Sequence, residues 1–466
     1  MFQDVDLIEE IDSLSLWFEE VQAYQSKRKA RELNFSARLD VHRWSDHPEV
    51  KGFVQTIYES VDFKNSKVRR RHLKVVLLDL YVKWCQSADL KTAVSRNRND
   101  YRAGSIYNEL RISFTTVAVL DALLNFGFIH EERGFLDRTS GIGRVSRIWP
   151  TEKLIALFED ARFGTQDIGY HPDRVSVVLR DKDEDGKEFD VEYEPSEATD
   201  RMSTMLQAYN LLLARAHIEL PSTDNRLVND DDVGQRCSIK ISQSPSEKFV
   251  TRVFNRGSFE CGGRFFGGWW QNCRKELRNE ITIDGHPTSE LDYSGLHIVM
   301  LYAEEGISYW DEVGTDPYQI DVPDFLEDAA QTRSVCKSLM LTMLNAKSDL
   351  KAFAAFRSDA LAGSMEKKLT NEQLAIIQKA LKERHKPIAK HFCNDAGIRL
   401  MNKDSMIAEH VLQRFTNLGV PALTLHDSFI VPLGYEDLLM ATMRKAFSSV
   451  MEVSLGPVDS GSIKKY

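Results

Sequence analysis

The stretch Glu290-Leu-Asp-Tyr-Ser-Gly-Leu-His-Ile-Val-Met-Leu-Tyr302 decides the fold of this chain. It predicts a strand that ends in the carboxylate of Asp292, then a turn into an apolar helix. Further along, Ala422-Leu-Thr-Leu-His-Asp-Ser-Phe-Ile-Val-Pro432 has two apolar runs around a polar centre, which predicts a hairpin with Asp427 at its tip. We therefore expect Asp292 and Asp427 to lie on adjacent strands.

A helix between these stretches supplies positive charge. The segment Thr332-Arg-Ser-Val-Cys-Lys-Ser-Leu-Met-Leu-Thr-Met-Leu-Asn345 has helical periodicity. Its residues at spacings of four are expected on one face, and they are Arg333, Lys337, Leu341 and Asn345. Two carboxylates opposite two cations form a site for a triphosphate, in which the aspartates hold two Mg²⁺ ions, or Mn²⁺ in their place. Arg333 and Lys337 would neutralise the phosphates.

The order of these segments resembles the family A DNA polymerases and the phage-type single-subunit RNA polymerases. D-Y-S-G-L-H is similar to their motif A and R-S-V-C-K to the start of motif B. L-H-D-S-F is similar to motif C, nearest to the phage-type RNA polymerases. Gly314-Thr-Asp-Pro-Tyr318 and the Gly263-Arg264 segment also resemble stretches of these families. The resemblance covers roughly Gly262 to Pro432, which is under half of the chain.

The resemblance implies an α+β fold, a right-hand polymerase palm with an antiparallel sheet and helical fingers. It implies that Asp292 and Asp427 are the catalytic, metal-binding aspartates. The nucleotide-binding residues it implies are Arg333, Lys337, His297, Leu341 and Asn345. Arg264, Gln413 and His426 are expected to contact nucleic acid, Arg264 near the primer end. Leu341 and Asn345 depart from the pattern, since the family A enzymes carry an aromatic residue at the first position and both groups usually carry tyrosine at the second.

His297 stands where the family A enzymes carry a glutamate whose bulk rejects ribonucleotides. Because histidine is also bulky, a preference for deoxynucleotides is expected. The alternative is an ordinary histidine that holds the helix after motif A. Further on, Glu409 and Gln413 lie one turn apart on a helix expected over Met406–Leu418, and the ordinary interpretation as a solvated face is stronger for Glu409.

The N-terminal third is expected to be helical over residues 1–60 and then strongly basic. Residues 64–111 contain twelve basic and four acidic residues. A helix capped by Thr115 or Thr116 and ended before Gly127, followed by two strands, gives the element order of a winged helix. The cations expected to contact nucleic acid there are Arg69, Arg70, Arg71 and Arg144. A small helical domain with a solvated basic face is the alternative.

We therefore expect four segments: an N-terminal helical segment (1–63), a winged-helix-like domain (64–160), a connector or thumb-like region (161–250), and palm and fingers (251–466). Within the third, Asp181–Glu192 matches a calcium-loop pattern. The β-branched residues before it favour an acidic hairpin tip instead. A helix is expected near Met202–Ile218.

Composition excludes some classes of protein. The 466 residues carry a net charge of −10, so the chain does not coat nucleic acid over its whole surface. Six cysteines without a C-x-x-C pair favour reduced thiols, and the acidic N-terminus predicts no signal peptide, so a cytoplasmic location without membrane attachment is expected.

Taken together, the sequence predicts a template-directed DNA polymerase that uses a DNA template and primer and deoxynucleoside triphosphates. Fusion to a DNA-binding segment suggests replication of a phage, plasmid or other mobile element. An RNA polymerase or primase of the phage type is the alternative within enzymes. A non-catalytic DNA-binding replication initiator is the alternative from another class.

Overall fold

A computed structural model describes residues 32–61, 63, 66–139, 143–221, 226–230, 236–453 and 463–465, with the backbone alone for 226–230 and 236–239. The chain forms two compact units. Unit 1 comprises residues 1–174 and 222–247, and unit 2 comprises 175–221 and 248–466. The breaks at 174, 221 and 247 do not coincide with the four predicted segments, whose division by function stays a prediction.

The fold is mixed α+β. Its helices are α1 Pro48–Ser60, α2 Lys67–Gln86, α3 Thr115–Asn125, α4 Glu152–Glu159, α5 Glu197–Arg215, α6 Lys275–Arg278, α7 Leu296–Glu304, α8 Tyr309–Glu312, α9 Ala329–Asn345, α10 Asp349–Asp359, α11 Met365–Lys368, α12 Asn371–Arg384, α13 Gly397–Asn417 and α14 Glu436–Met451. Its strands are β1 Ser36–Arg38, β2 Arg43–Trp44, β3 Lys91–Val94, β4 Ile129–Glu132, β5 Phe135–Leu136, β6 Gly143–Arg144, β7 Ser146–Pro150, β8 Gly169–Tyr170, β9 Val177–Lys182, β10 Glu188–Asp190, β11 Ile218–Glu219, β12 Arg226–Asp230, β13 Arg236–Lys240, β14 Val250–Asn255, β15 Ser258–Gly267, β16 Thr282–Ile283, β17 His286–Tyr293, β18 Leu423–Leu425, β19 Ser428–Pro432 and β20 Ile463–Lys465.

Unit 1 is built around α2, whose middle is buried on all sides. Its N-cap is Ser66, whose hydroxyl accepts a hydrogen bond from the Arg69 amide at 3.3 Å. A four-stranded sheet in the order β1-β3-β7-β4 belongs to the same unit. Residues of α1, α2, α3 and α4 share one hydrophobic core with β3, β4 and β7. The burial of this apolar surface is the main stabilising contribution.

A buried charge network joins the two chain segments of unit 1. Asp79 is fully buried and accepts from Lys83 at 2.7 Å, from Arg43 Nε at 3.0 Å and from Thr92 at 3.0 Å. Arg43 also donates to Glu247 at 2.5 Å. Because Glu247 lies in the returning segment 222–247, this network fixes that segment to the rest of the unit.

The structure corrects several sequence predictions in unit 1. Residues 1–31 lie outside the described residues, and the helix predicted over 1–60 is confirmed for α1 but is wrong at β1 and β2. The helix α3 has Phe114 at its N-cap and no side-chain cap, so the caps predicted at Thr115 or Thr116 are wrong. Its predicted end is confirmed, since Gly127 follows with a φ of 72°.

The described strands of unit 2 form two sheets. One has the order β10-β9-β14-β15, and the other has the order β11-β16-β17-β19-β18 with β20 also paired to β17. Strands β9 and β10 pair antiparallel around Asp183–Lys187, so the acidic segment is a hairpin, as favoured over a calcium loop. The helices α5 and α13 begin before the predicted Met202 and Met406, at Glu197 and Gly397.

Long side chains from distant segments anchor the second sheet. Trp270 is fully buried and donates to the carbonyl of Thr424 at 3.1 Å, and Tyr209 of α5 donates to the carbonyl of Ala422 at 2.6 Å. These bonds hold β18, and with it the turn that carries Asp427. In the described parts of the chain, no helix has both the length and the apolar character that crossing a bilayer requires.

Candidate active site

The central strands of unit 2 bring Asp292 and Asp427 together. Strands β17 and β19 pair antiparallel with Asp292 opposite Ser428, the residue after Asp427. The Tyr293 amide also donates to the carbonyl of Asp427 at 3.3 Å. His426 at the preceding turn position has a φ of 62°, which is uncommon outside glycine, so the turn between β18 and β19 is locally strained. The predicted hairpin and its acidic tip are confirmed.

The two carboxylates lie in an environment that disfavours their negative charge. Burial, together with the charges of Asp427 and Glu290, raises the pKa of Asp292 to about 7, against the opposing charge of Lys337. Burial also raises the pKa of Asp427, and the charge of Asp404 adds to this. Across the described residues, neither carboxylate accepts a hydrogen bond from another side chain. The pair is therefore a place where an added cation would be stabilised.

A third aspartate, Asp404 on α13, lies beside this pair. Its Oδ2 accepts from Arg264 of β15, with Nε at 2.9 Å and Nη2 closer still, and lies 3.3 Å from His297 Nε2 of α7. Arg264 Nη2 and His297 Nε2 are 3.4 Å apart. Burial opposes the charge of Asp404, but the hydrogen bond with His297 and the charge of Arg264 hold its pKa below the usual value. We call Asp404, Arg264 and His297 the Asp404 cluster.

Two glycines allow α13 to approach β15 at this cluster. Gly262 and Gly263 have φ values of 72° and 89°, a conformation that glycine adopts without strain. A Cβ on Gly263 would lie 2.7 Å from the Phe254 ring and 2.8 Å from Ser405 Oγ of α13. The Gly-Gly-Arg sequence thus lets the strand bend against the helix and places the Arg264 side chain at Asp404.

The helix α9 contains all four residues predicted to share one face. Asp328 caps its N-terminus by accepting from the Gln331 amide at 2.7 Å. The side chains of the predicted face are all exposed: Arg333, Lys337, Leu341 and Asn345. The positive charge of Lys337 lowers the pKa of Asp292, so this part of the face lies within electrostatic reach of Asp292.

The loop between α8 and α9, residues 313–328, holds Arg333 and approaches the carboxylates. Arg333 donates to Asp316 at 2.8 Å, and its guanidinium lies 5.6 Å from the centre of the Tyr318 ring. Burial and the charge of Asp427 raise the pKa of Tyr318 above its usual value, which places the phenol near the pair. His385 after α12 fixes the loop, since its Nε2 is 2.7 Å from the carbonyl of Pro317.

The predicted nucleic-acid contacts occupy different surroundings. His426 is half-buried against Phe266, with ring centres 5.4 Å apart, and Gln413 is exposed on α13. Glu409, one turn before Gln413, pairs with the buried Arg252 at 2.6 Å. A contact between Glu409 and a minor groove would therefore first require breaking this ion pair.

In unit 1, the basic candidates lie around α2 and the β5–β6 hairpin. The guanidinium of Arg69 lies 5.7 Å from the Phe63 ring centre, and that of Arg70 lies 4.6 Å from Tyr58. Arg71 is half-buried, and Arg144 lies 5.6 Å from Phe135. These arginines are therefore on α2 and the hairpin. The sequence of α3 contains no lysine or arginine.

The two carboxylates suit an Mg²⁺ ion whose other ligands are water and substrate phosphates. In the part of the chain that the structure describes, no group of three or more His, Cys, Asp or Glu residues is placed to hold a metal ion. Mg²⁺ in nucleotide sites is often held by one or two carboxylates and completed by water and substrate phosphates. Asp292 and Asp427, which lack cationic hydrogen-bond partners among the described residues, suit that kind of site.

Sequence reasoning assigned no role to Asp404 or Glu290. Asp404 is charged but lies on the apolar stripe of α13, between Leu400 and Ala408. A charged residue at a position expected to be buried was the sequence signal that could have identified it. Glu290 is two residues before Asp292 on the same strand face, and it accepts from Ser428 Oγ at 2.7 Å. Lys275 of α6 lowers the pKa of Asp292 and lines a cavity of about 290 Å³ with Glu290.

Comparison with known proteins identifies no family. No protein-family model matches the chain, and no curated protein matches it. Among solved structures, it is similar to the POL domain of Pol1 from M. smegmatis in complex with DNA primer-template and dNTP, with 11% identity and a TM-score of 0.30. The match covers 91% of this chain and 66% of that one, so this chain spans just under two thirds of that chain's length. At this TM-score, the similarity does not bear on the function of the chain.

Proposed function

We propose that this chain is a template-directed nucleotidyltransferase that adds deoxynucleotides to a 3′-hydroxyl end. One observation carries the proposal: β17 and β19 bring Asp292 and Asp427 together, and Asp292 lies within electrostatic reach of Lys337 on α9. The three motif resemblances support it as well, because they rest on the sequence alone and include Asp292, Lys337 and Asp427.

Each side chain has a defined task in the proposed reaction. Asp292 and Asp427 would hold Mg²⁺, which would lower the pKa of the attacking hydroxyl and stabilise charge on the phosphate. Lys337 neutralises the triphosphate as the pyrophosphate leaves. Arg333 exchanges its ion pair with Asp316 for the incoming nucleotide, and Leu341 and Asn345 lie further along the same face. His297 lies at the sugar and selects against ribonucleotides.

Nucleic acid is proposed to contact both units. In unit 2, Arg264 lies near the primer end, with His426 and Gln413 beside the duplex. In unit 1, Arg69, Arg70, Arg71 and Arg144 contact phosphates. Because α3 has no basic residue and its Asp121 pairs with Arg96 at 2.7 Å, groove binding by α3 would depend on phosphate contacts from neighbouring segments.

A primer-extension assay with Mg²⁺ tests the proposal. It compares deoxynucleotides with ribonucleotides, primed with unprimed template, and the wild type with Asp427→Asn. The matched control is Asp395→Asn, which removes an aspartate of the same unit that pairs with Arg256 at 2.7 Å. We expect template-dependent deoxynucleotide extension that Asp427→Asn abolishes and Asp395→Asn retains.

Other outcomes would replace the proposal. Ribonucleotide products from unprimed template would identify an RNA polymerase or primase, which the H-D-S-F sequence favours. Tight DNA binding without incorporation by the wild type would favour a non-catalytic replication initiator. Equal loss of DNA affinity and activity in Asp427→Asn would assign Asp427 a role in folding.

A further inference from the structure

Building on the proposed function, we infer that Asp404 is a positioning residue that fixes Arg264 and His297 in one shared orientation. If so, the grip on the primer end and the selection of the sugar depend on one buried carboxylate. Neither the motifs nor the resemblance assigned a role to Asp404.

The geometry of the Asp404 cluster makes its two partners interdependent. Both contact the same oxygen, Oδ2, while Oδ1 is buried and accepts no hydrogen bond from any residue that the structure describes. Arg264 comes from β15, His297 from α7 and Asp404 from α13. A displacement of Oδ2 would therefore move the arginine and the imidazole together.

A second ion pair on the same helix shows what a purely structural arrangement looks like. Arg252 is fully buried and uses its donors on Glu409, on Ser405 Oγ at 3.1 Å and on the carbonyl of Gly263 at 2.9 Å. Arg264, in contrast, is bonded through Nε and Nη2 on the Asp404 side, and its side chain remains 21% exposed. Among the described residues, its Nη1 has no hydrogen-bond partner. That donor is available to a ligand.

The electrostatics of the Asp404 cluster also support a positioning role for Asp404. Asp404 is 2% exposed and its negative charge disfavours ionisation of Asp427. A neutral side chain there would avoid this repulsion, so the charge has a local cost next to the catalytic pair. Its compensating effect is to hold Arg264 and His297, since charge-assisted hydrogen bonds are shorter and stronger than neutral ones.

The test uses the full-length protein and three single variants: Asp404→Asn, Arg264→Gln and His297→Ala. One readout is primer-template affinity by fluorescence anisotropy without nucleotide, and the other is the ratio of kcat/KM for deoxynucleotides to that for ribonucleotides. We expect Asp404→Asn to lower both the affinity and the ratio, each by roughly three- to 100-fold, the range of coupling between contacting residues. Arg264→Gln should lower mainly the affinity, and His297→Ala mainly the ratio.

Double variants distinguish positioning from general damage. In the His297→Ala background, Asp404→Asn should leave the ratio unchanged, and in the Arg264→Gln background it should leave the affinity unchanged. Additive effects in both backgrounds would overturn the inference. Glu409→Gln is the matched control, since it removes the other α13 carboxylate that pairs with an arginine. An equally large fall in the ratio of kcat/KM for deoxynucleotides to that for ribonucleotides in this variant would also overturn the inference.

Two further results keep the test decisive. If Asp404→Asn does not fold, Asp404→Glu retains the charge but displaces it, and wild-type values of both readouts would contradict positioning. If the wild type incorporates no nucleotide, the proposed function is wrong and the sugar part of the inference falls with it. The anisotropy measurement still decides whether Asp404 acts through Arg264.

Discussion

Replacing Asp427 with asparagine should stabilise the protein at neutral pH while abolishing its activity. The folded-state pKa of Asp292 is raised from 3.8 to about 7. The folded protein therefore binds more protons than the unfolded chain between these values, and the free energy of unfolding falls as the pH rises through this window. Among the charges that raise the pKa of Asp292, that of Asp427 contributes most. Removing it should therefore recover part of the unfolding free energy that is lost as the pH rises.

The size of the effect follows from the same values. The rise from 3.8 to about 7 corresponds to roughly 4 kcal/mol at 1.36 kcal/mol per pH unit. Burial is the first cause and the charge of Asp427 the second. A shift of about one pKa unit from such a like charge would be worth on the order of 1–2 kcal/mol. At about 2–4 °C per kcal/mol, this raises the Tm by roughly 2–8 °C.

Thermal unfolding of the wild type and Asp427→Asn at about pH 8 and about pH 4.5 measures this, because the carboxyl group of Asp292 is largely protonated in the folded state at the lower value and no longer repels Asp427. We expect the gain in Tm at the higher pH alone. Excess Mg²⁺ should raise the Tm of the wild type more than that of the variant, since the ion binds the folded pair of carboxylates.

Asp404→Asn is the control of opposite sign. The pKa of Asp404 is lowered, so its charge stabilises the fold above the unfolded-state pKa and this contribution disappears as the pH falls through the folded-state value. This variant should lose stability at about pH 8. If Asp427→Asn is destabilised there as much as Asp404→Asn, the description of the Asp292–Asp427 pair as mutually repelling is refuted.

Three further predictions concern single side chains. Lys337→Gln should raise KM for the nucleoside triphosphate roughly 10- to 100-fold through loss of a charged contact, measured by steady-state primer extension; an unchanged KM would contradict a phosphate contact. Asp79→Asn should cost about 3–5 kcal/mol in urea unfolding because it leaves two buried cations under-compensated, and a loss below about 1 kcal/mol would contradict the network. Gly263→Ala should cost more stability than Gly285→Ala in the same assay. Both glycines have a positive φ, but only at Gly263 would the added Cβ clash with neighbouring atoms. Equal costs would show that backbone strain is the cause and that the clash contributes nothing.

Local periodicity predicted the parts of the site that lie within one element. The spacing of Arg333, Lys337, Leu341 and Asn345 sufficed to place them on one face, because a helix fixes that relation by itself. The apolar runs around Asp427 likewise sufficed to predict a hairpin. The choice between a hairpin and a calcium loop at Asp181–Glu192 was correct because β-branched residues before the acidic run favour a strand.

Long-range relations were beyond the reach of the sequence. The role of Asp404 depends on Arg264 and His297, which are 140 and 107 residues away in the chain. The strands at 36–44 also depend on partners far along the chain, since β1 pairs with β3 and β2 with β8. The cap of α3 failed for another reason: Ser113 Oγ accepts from the Thr115 amide in a turn just before the helix, and neither threonine side chain caps it.

The way the chain alternates between the two units constrains how the protein is made and dissected. Unit 1 needs residues 222–247, so the ribosome must synthesise the first part of unit 2 before unit 1 has all its residues. Until Glu247 emerges, the buried guanidinium of Arg43 lacks one of its carboxylate partners. A fragment that stops at residue 174 would have the same defect, so isolating unit 1 requires a polypeptide in which a linker joins its two segments.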